Sequence, residues 1–316
     1  MRIVFMGTPQ FSVPCLEALI NSEHDVVGLV CQPDKKQGRK MLLTSPPTKL
    51  IALEYGISIL QPASAKEERF VLDLIDLKAD LFVTCAYGKI LPETVLAIPA
   101  YGCINVHASL LPAFRGAAPI QWAIIKGYNQ TGITTMITDK GMDTGAMLLK
   151  ETVNIDENMN AEELHDLLMA LGPNVLLKTL KALQNDELEP ITQDEKQASN
   201  APMLKKEDGN INWNKSSTDI HNLVRGTYSW PGAFTLQNQQ ILKICKTKIY
   251  KLQDGEKKFS RAQKGEIVDI NKDGIVVACG NGFVTILEIQ SPSGKRMDAV
   301  SFVNGHKVQC GDRLEQ

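Results

Sequence analysis

Met1-Arg2-Ile3-Val4-Phe5-Met6-Gly7-Thr8-Pro9 opens the chain with four consecutive apolar residues closed by a glycine–proline turn. The run is too short for a targeting segment and stops at turn formers, so it reads as a first strand. Runs of the same kind recur at Val26–Cys31, Leu81–Cys85, Cys103–Val106 and Ile133–Thr138. Helical spacing falls between them, at Pro47–Tyr55, Glu67–Leu77 and Ala118–Lys126. A strand buried on both faces shows no polar alternation, so continuous Val/Ile/Leu runs separated by helices describe a covered parallel sheet. The expected architecture is α/β, with a doubly wound, mostly parallel (Rossmann-like) sheet in the N-terminal domain. Gly7-Thr8-Pro9 is not a dinucleotide loop. It holds one glycine of the Gly-x-Gly-x-x-Gly pattern, and Pro9 lacks the N–H that would cradle a phosphate.

Further along, Ala161–Leu183 keeps helical spacing behind Asn160, a plausible N-cap. Gly172-Pro173 within it predicts a kink or a division into two helices. His165, on the polar side with no ligand partner nearby, reads as a surface residue. Residues 187–206 turn polar and read as a linker. Beyond them a helical piece at Thr218–Val224 precedes short strands at Ile241–Ile249, Gly265–Ile270, Gly274–Ala278 and Gly282–Ile289. That texture predicts a smaller β-barrel (OB-like) domain. The expected organisation is a catalytic domain at 1–186, a linker at 187–206 and a β-rich domain at 207–316.

Composition narrows the class. Of 316 residues 43% are hydrophobic and 22% charged, an ordinary usage for a chain with a packed core. No run approaches the apolar length of a membrane span, and a cytoplasmic location is expected. The seven cysteines form no Cys-x-x-Cys pair and read as small hydrophobes in a reducing compartment; no metal site is expected. The formal net charge of −2 is unevenly spread. Residues 1–206 carry 19 basic against 24 acidic side chains, and residues 207–316 carry 15 against 12. Within 241–264 there are 8 basic and 2 acidic residues, either a solvated face or a surface for a polyanion.

The chemistry gathers at Cys103-Ile104-Asn105-Val106-His107. Asn105 and His107 project from one face of a strand, at the carboxyl end where open α/β sheets hold their ligands. An apolar loop, Ser109-Leu110-Leu111-Pro112-Ala113-Phe114-Arg115-Gly116, can wall a pocket beside the histidine. After another strand, Asp139-Lys140-Gly141-Met142-Asp143-Thr144-Gly145 presents Asp143 between glycines. An amide donor, an imidazole and a carboxylate converging on one cleft suit acyl transfer to an amine, which needs oxyanion stabilisation and proton movement.

These residues resemble the family that uses 10-formyltetrahydrofolate as formyl donor, whose members formylate glycinamide ribonucleotide, sugar nucleotides or the methionine of initiator tRNA. The motifs are Asn105-Val106-His107, Ser109-Leu110-Leu111-Pro112 and Gly141-Met142-Asp143-Thr144-Gly145, with Ala86-Tyr87-Gly88-Lys89-Ile90-Leu91-Pro92 similar to the family's pterin-pocket loop. Gly7-Thr8-Pro9 with Phe11-Ser12, the loop 32–40 and Arg115-Gly116-Ala117-Ala118-Pro119-Ile120 resemble the branch acting on initiator methionyl-tRNA, as does the two-domain layout. The resemblance implies Asn105, His107 and Asp143 as catalytic residues. It implies Ser109, Leu110, Leu111, Pro112, Tyr87, Gly88 and Ile90 around the folate co-substrate, with no metal. Arg39, Lys40, Lys246 and Lys248 are the implied tRNA contacts of a monomeric, cytoplasmic enzyme of translation initiation. Rival readings are another amine acceptor, a formyl-folate hydrolase, or a non-catalytic RNA-binding protein. The sequence departs from the family at Ala146, where many relatives carry a carboxylate.

Overall fold

The computed structural model describes residues 1–38, 41–252, 261–292, 294–305 and 308–315. The chain folds as two compact units. The first comprises Met1–Pro119, Thr131–Val153 and His165–Pro202; the second comprises Ile120–Gln130, Asn154–Leu164 and Met203–Gln316.

Nine strands belong to the first part of the chain: β1 (Arg2–Gly7), β2 (Asp25–Val30), β3 (Lys35–Gln37), β4 (Leu42–Thr44), β5 (Ile59–Leu60), β6 (Leu81–Cys85), β7 (Cys103–His107), β8 (Gln130–Ile137) and β9 (Met147–Asn154). Between and after them run α1 (Val13–Ile20), α2 (Pro47–Glu54), α3 (Glu68–Asp76), α4 (Glu93–Leu96), α5 (Pro119–Ile125) and α6 (Ala161–Gln184). Seven strands make one sheet in the order β5-β2-β1-β6-β7-β8-β9, with β3 and β4 forming a separate hairpin. Pairings from β5 through β7 are parallel, and β7 pairs β8 antiparallel. The mostly parallel, doubly wound expectation therefore describes this sheet. Residues 3–6 of β1 are all fully buried, which is why the run carries no polar alternation. Val4 and Met6 pack with Phe70, Leu74 and Phe82 on one face of the sheet.

The tight turn after β1 has a packing cause. A Cβ on Gly7 would lie 2.7 Å from the Phe5 ring and 2.9 Å from the Cys85 carbonyl oxygen. α6 is a single element with Pro173 inside it, not two helices. Leu168, Val175, Leu176 and Leu180 are buried on both sides of the proline, and that shared apolar anchorage outweighs one lost backbone bond. Cβ-less Gly172 sits against the Cys15 thiol, 3.2 Å from where a Cβ would stand. His165 packs against Phe11 with ring centroids 5.2 Å apart and planes tilted by 59°, and keeps a third of its side chain in solvent.

The second unit holds α7 (Ser217–Gly226), β10 (Ala233–Gln237), β11 (Gln240–Tyr250), β12 (Ile267–Asn271), β13 (Gly274–Ala278), β14 (Phe283–Gln290), β15 (Met297–Asp298) and α8 (Ala299–Gly305). Its strands run β10-β11-β14-β13-β12, with β15 beside β14, and the pairings are antiparallel. The last residues join the two edges. Leu236 of β10 exchanges backbone bonds with Glu315 at 2.9 and 2.8 Å, and Ile267 of β12 donates to Asp312 at 2.8 Å. A core of Ile211, Trp213, Ile244, Val277, Val284, Ile286 and their neighbours fills the interior. All seven cysteines are free thiols, five of them buried. Among the described residues no helix is long and apolar enough to cross a membrane.

Candidate active site

Parallel pairing of β6 with β7 sets Thr84 opposite Asn105, and this register orients the amide. The Thr84 hydroxyl donates to Asn105 Oδ1 at 2.9 Å. With its oxygen so engaged, the amide must turn its NH2 outward, and Nδ2 stands 3.4 Å from Asp143 Oδ1. His107, two residues on and 6% exposed, shares the face. Its Nε2 lies 3.0 Å from the Phe114 carbonyl oxygen. A carbonyl only accepts, so Nε2 carries the hydrogen and Nδ1 is the nitrogen left to exchange protons. Nδ1 lies 3.6 Å from Asp143 Oδ2, beyond a hydrogen bond but within ion-pair range once the ring is protonated.

Asp143 projects from a loop fixed by its own polar groups. Asp139 Oδ1 accepts from the Gly141 N–H at 3.0 Å and from the Thr144 hydroxyl at 2.7 Å. Asp143 takes a left-handed φ of 55°, which aspartate tolerates better than most residues. Its Oδ2 accepts the Gly116 N–H at 2.8 Å. The loop closes against β8 at Gly145, where a Cβ would fall 1.7 Å from the Ile137 carbonyl oxygen. Gly145→Ala should therefore displace the loop and destabilise the protein by roughly 1–3 kcal/mol, read from denaturant unfolding. An unchanged midpoint would show that the close approach is relaxed in solution.

Asn105, His107 and Asp143 are thus brought together, and further groups surround them. Thr84, the Phe114 carbonyl and the Gly116 N–H each fix one atom of the trio. Gln193 Nε2 donates to the carbonyls of Asp143 and Gly145, both at 2.8 Å. Arg115, 7% exposed, donates from Nε to Gln193 Oε1 at 2.9 Å and grips Glu195 with its fork at 3.0 and 2.9 Å. That hydrogen bonding holds the Glu195 carboxyl below its usual range. Sequence reading quoted Arg115 and Gly116 only as part of a motif and gave Gln193 no role, since an amide within a polar stretch carries no periodic signal.

The residues expected around folate divide. Segments 86–90 and 108–112 leave the carboxyl ends of the neighbouring strands β6 and β7, beside the point between β1 and β6 where chain order reverses across the sheet. Ser109, Leu111 and Pro112 are largely committed to the protein: Ser109 Oγ donates to the Ala113 carbonyl at 2.6 Å, the Ser109 carbonyl and Leu111 N–H bond Thr134, and Lys150 Nζ donates to the Leu111 carbonyl. The Pro112 carbonyl accepts from the Ser199 N–H at 3.3 Å. Leu111 is buried with Met136 and Met147, while Leu110 stays half-buried. Tyr87 points its ring into the sheet core, where burial pushes its phenol up to about 12. It offers a cleft only backbone, and its carbonyl already takes Thr8 Oγ1 and Gln32 Nε2 at 3.2 and 3.1 Å. Gly88 has a left-handed φ of 82°, and Ile90 is 69% exposed, free to cover a ligand.

Arg39 and Lys40 lie outside the described residues. The flanking hairpin of β3 and β4 exposes Leu42 and Leu43 and is rooted by Asp34, whose carboxylate bonds Lys49 at 2.8 and 2.9 Å, Gln61 at 2.9 Å and Ser45 at 3.1 Å. Gln61, Lys49 and Ser45 hold that carboxyl below its usual range. Lys246 and Lys248 lie on β11 of the second unit. Lys246 is exposed, and Lys248 pairs with Asp273 at 2.9 Å.

A family model described as Formyl transferase matches residues 1–180, and one described as Formyl transferase, C-terminal domain, matches residues 203–307. A methionyl-tRNA formyltransferase from Acetivibrio thermocellus is 51% identical over 316 residues, covering all of both chains. Another from Clostridioides difficile is 44% identical over 98% of this chain and 99% of its own. Among solved structures, a sugar 3N-formyl transferase crystallised with dTDP and 5-N-formyl-THF aligns with TM-score 0.68 at 19% identity, covering 93% of this chain and 99% of its own. HypX from Aquifex aeolicus in complex with tetrahydrofolic acid aligns with TM-score 0.62 at 15% identity, over 96% of this chain and 47% of its own. At such identities these two show the fold.

Proposed function

We infer the reaction of this chain from the family to which it belongs, the formyl transferases. It transfers a formyl group to the α-amino group of the methionine on methionyl-tRNA, for translation initiation. The observation that carries this is similarity over the whole chain, both units included, to relatives of that activity. The donor in this reading is 10-formyltetrahydrofolate, and the acceptor is the initiator tRNA. The enzyme works as a cytoplasmic monomer.

The geometry supports the following roles. As the amine attacks the formyl carbon, a carbon–nitrogen bond forms and the formyl oxygen gains negative charge. Asn105, with Oδ1 tied to Thr84 and one N–H on the long contact to Asp143, has its second N–H to donate to that oxygen. Asp143 takes the proton the amine must lose. Its Oδ2 accepts the Gly116 N–H, while Oδ1 has only the long contact to Asn105 and keeps lone pairs for the work. His107 acts through Nδ1, relaying a proton with Asp143 or lending positive charge beside the oxyanion. Collapse of the tetrahedral intermediate then breaks the bond to the folate nitrogen, which leaves with a proton. Gly88, Ile90 and the half-buried Leu110 and Pro112 wall the donor, and the folate needs no metal for this step.

Lys246 and Lys248 contact tRNA phosphate in this reading. Each phosphate neutralised should add about 0.9 to the slope of log affinity against log salt. Lys246→Ala with Lys248→Ala should lower that slope by up to about 2 in a filter-binding titration. An unchanged slope would remove both lysines from the interface.

The function itself is tested by incubating the protein with 10-formyltetrahydrofolate and charged initiator tRNA, then hydrolysing the ester and identifying the amino acid by mass. N-formylmethionine is the expected product. Formylation of an amino sugar alone, formate released without an acceptor, or no turnover would each select one of the rival readings.

A further inference from the structure

Residues 191–201 form a strap across the back of the trio. Ile191 exchanges backbone bonds with Met147 at 2.9 and 2.8 Å, beside the Asp143 loop. Ser199 accepts the Phe114 N–H on Oγ at 3.0 Å and the Arg115 N–H on its carbonyl at 2.8 Å. Ala201 donates its N–H to the Arg115 carbonyl at 2.7 Å and accepts the Ala118 N–H on its own carbonyl at 3.1 Å. The strap therefore holds both the loop that carries Asp143 and the loop whose Phe114 carbonyl and Gly116 N–H engage His107 and Asp143.

Gln193 is where the strap meets the carboxylate's own residue. It is 5% exposed, and its orientation is fixed chemically. Two carbonyls, of Asp143 and Gly145, can only accept, so they take the NH2; Arg115 Nε can only donate, so it takes Oε1. Arg115 is in turn held by Glu195. Asp143 sits in a left-handed conformation that a non-glycine residue keeps only where its surroundings over-determine it. Gln193 supplies that determination at the carbonyl of the same residue.

We propose that Gln193 is a positioning residue for the Asp143 carboxylate, acting through the Asp143 and Gly145 carbonyls, with Arg115 and Glu195 as its anchor. This rests on the reading of Asp143 as the proton acceptor. Small misplacement of a reacting group costs up to about 100-fold in rate, and loss of both donors lies in that range.

Gln193→Glu keeps the volume and the Arg115 contact but loses both N–H donors, and Gln193→Met removes the polar contacts altogether. Both should lower kcat by about 10- to 100-fold, with KM for folate and for tRNA within about twofold of the parent. For Gln193→Glu the deficit relative to the parent should narrow as pH falls, because a protonated carboxyl restores one donor. Each substitution is repeated in an Asp143→Asn background under single-turnover conditions. If Gln193 works through Asp143, its substitution adds less than about threefold there. A loss of equal factor in both backgrounds, or an unaffected kcat in a folded variant, overturns the proposal and leaves the Asp143 reading standing. Near-parental activity of Asp143→Asn alone overturns that reading and this proposal with it.

Discussion

Asp143→Asn should slow formyl transfer by about 10³- to 10⁴-fold in a protein that folds normally. The substitution keeps the shape of the side chain, and its amide oxygen can still accept the Gly116 N–H that Oδ2 takes at 2.8 Å. With the oxygen held there, the new NH2 faces the Asn105 NH2, which stands 3.4 Å from Oδ1. Two donors then confront each other, and the carboxylate oxygen that takes the amine's proton is gone. Because the loop is fixed by Asp139, Gly145 and Gln193, unfolding midpoints and circular dichroism should stay near those of the parent. Steady-state kinetics at saturating folate and tRNA read the effect in kcat.

Asn105→Ala should cost about 10²- to 10³-fold in kcat, the range for one lost oxyanion donor. It also takes away the acceptor of the buried Thr84 hydroxyl, a stability loss of roughly 1–3 kcal/mol that denaturant unfolding measures separately. Asn105→Asp sharpens the test. A carboxylate has the size of the amide and accepts from Thr84 equally well, but it donates nothing and adds a negative charge beside Asp143. It should be no more active than Asn105→Ala. Activity restored by Asn105→Asp would mean that residue 105 serves by filling space or bonding Thr84.

The features that sequence made legible share a physical cause. Strands β1 and β6 are buried along nearly their whole length, as are most of β7 and the second half of β2, so apolar residues dominate these runs and stand out. Asn105 and His107 are two polar residues two positions apart at the end of such a run, where burial of a polar group without a purpose is costly. Asp143 announced itself through flanking glycines, of which Gly145 is required by its approach to Ile137. The elements that escaped notice are defined by partners distant in sequence. Helix α1 is eight residues long and β15 two, too short for periodicity to register. The joining of β10 to β12 depends on Asp312 and Glu315, whose polar stretch becomes ordered only against edges laid down far earlier in the chain. Gln193 lies in the stretch 187–206 that composition marks as a linker, yet up to Pro202 that stretch belongs to the first unit. Polar residues there make hydrogen bonds instead of facing water, and composition does not distinguish the two. Tyr87 shows the converse: a motif draws attention to its loop, which leaves the carboxyl end of β6, while its ring packs in the core.

In the proposed mechanism the trio acts in the transfer step and not in holding substrates. Rapid-quench, single-turnover formylation of methionyl-tRNA, with folate and tRNA affinities measured on the same preparations, tests this most directly. Asp143→Asn should slow the chemical step by at least about 10³-fold while both affinities stay within about twofold. Transfer by Asp143→Asn within about tenfold of the parent, or a loss that lies entirely in binding, would contradict it.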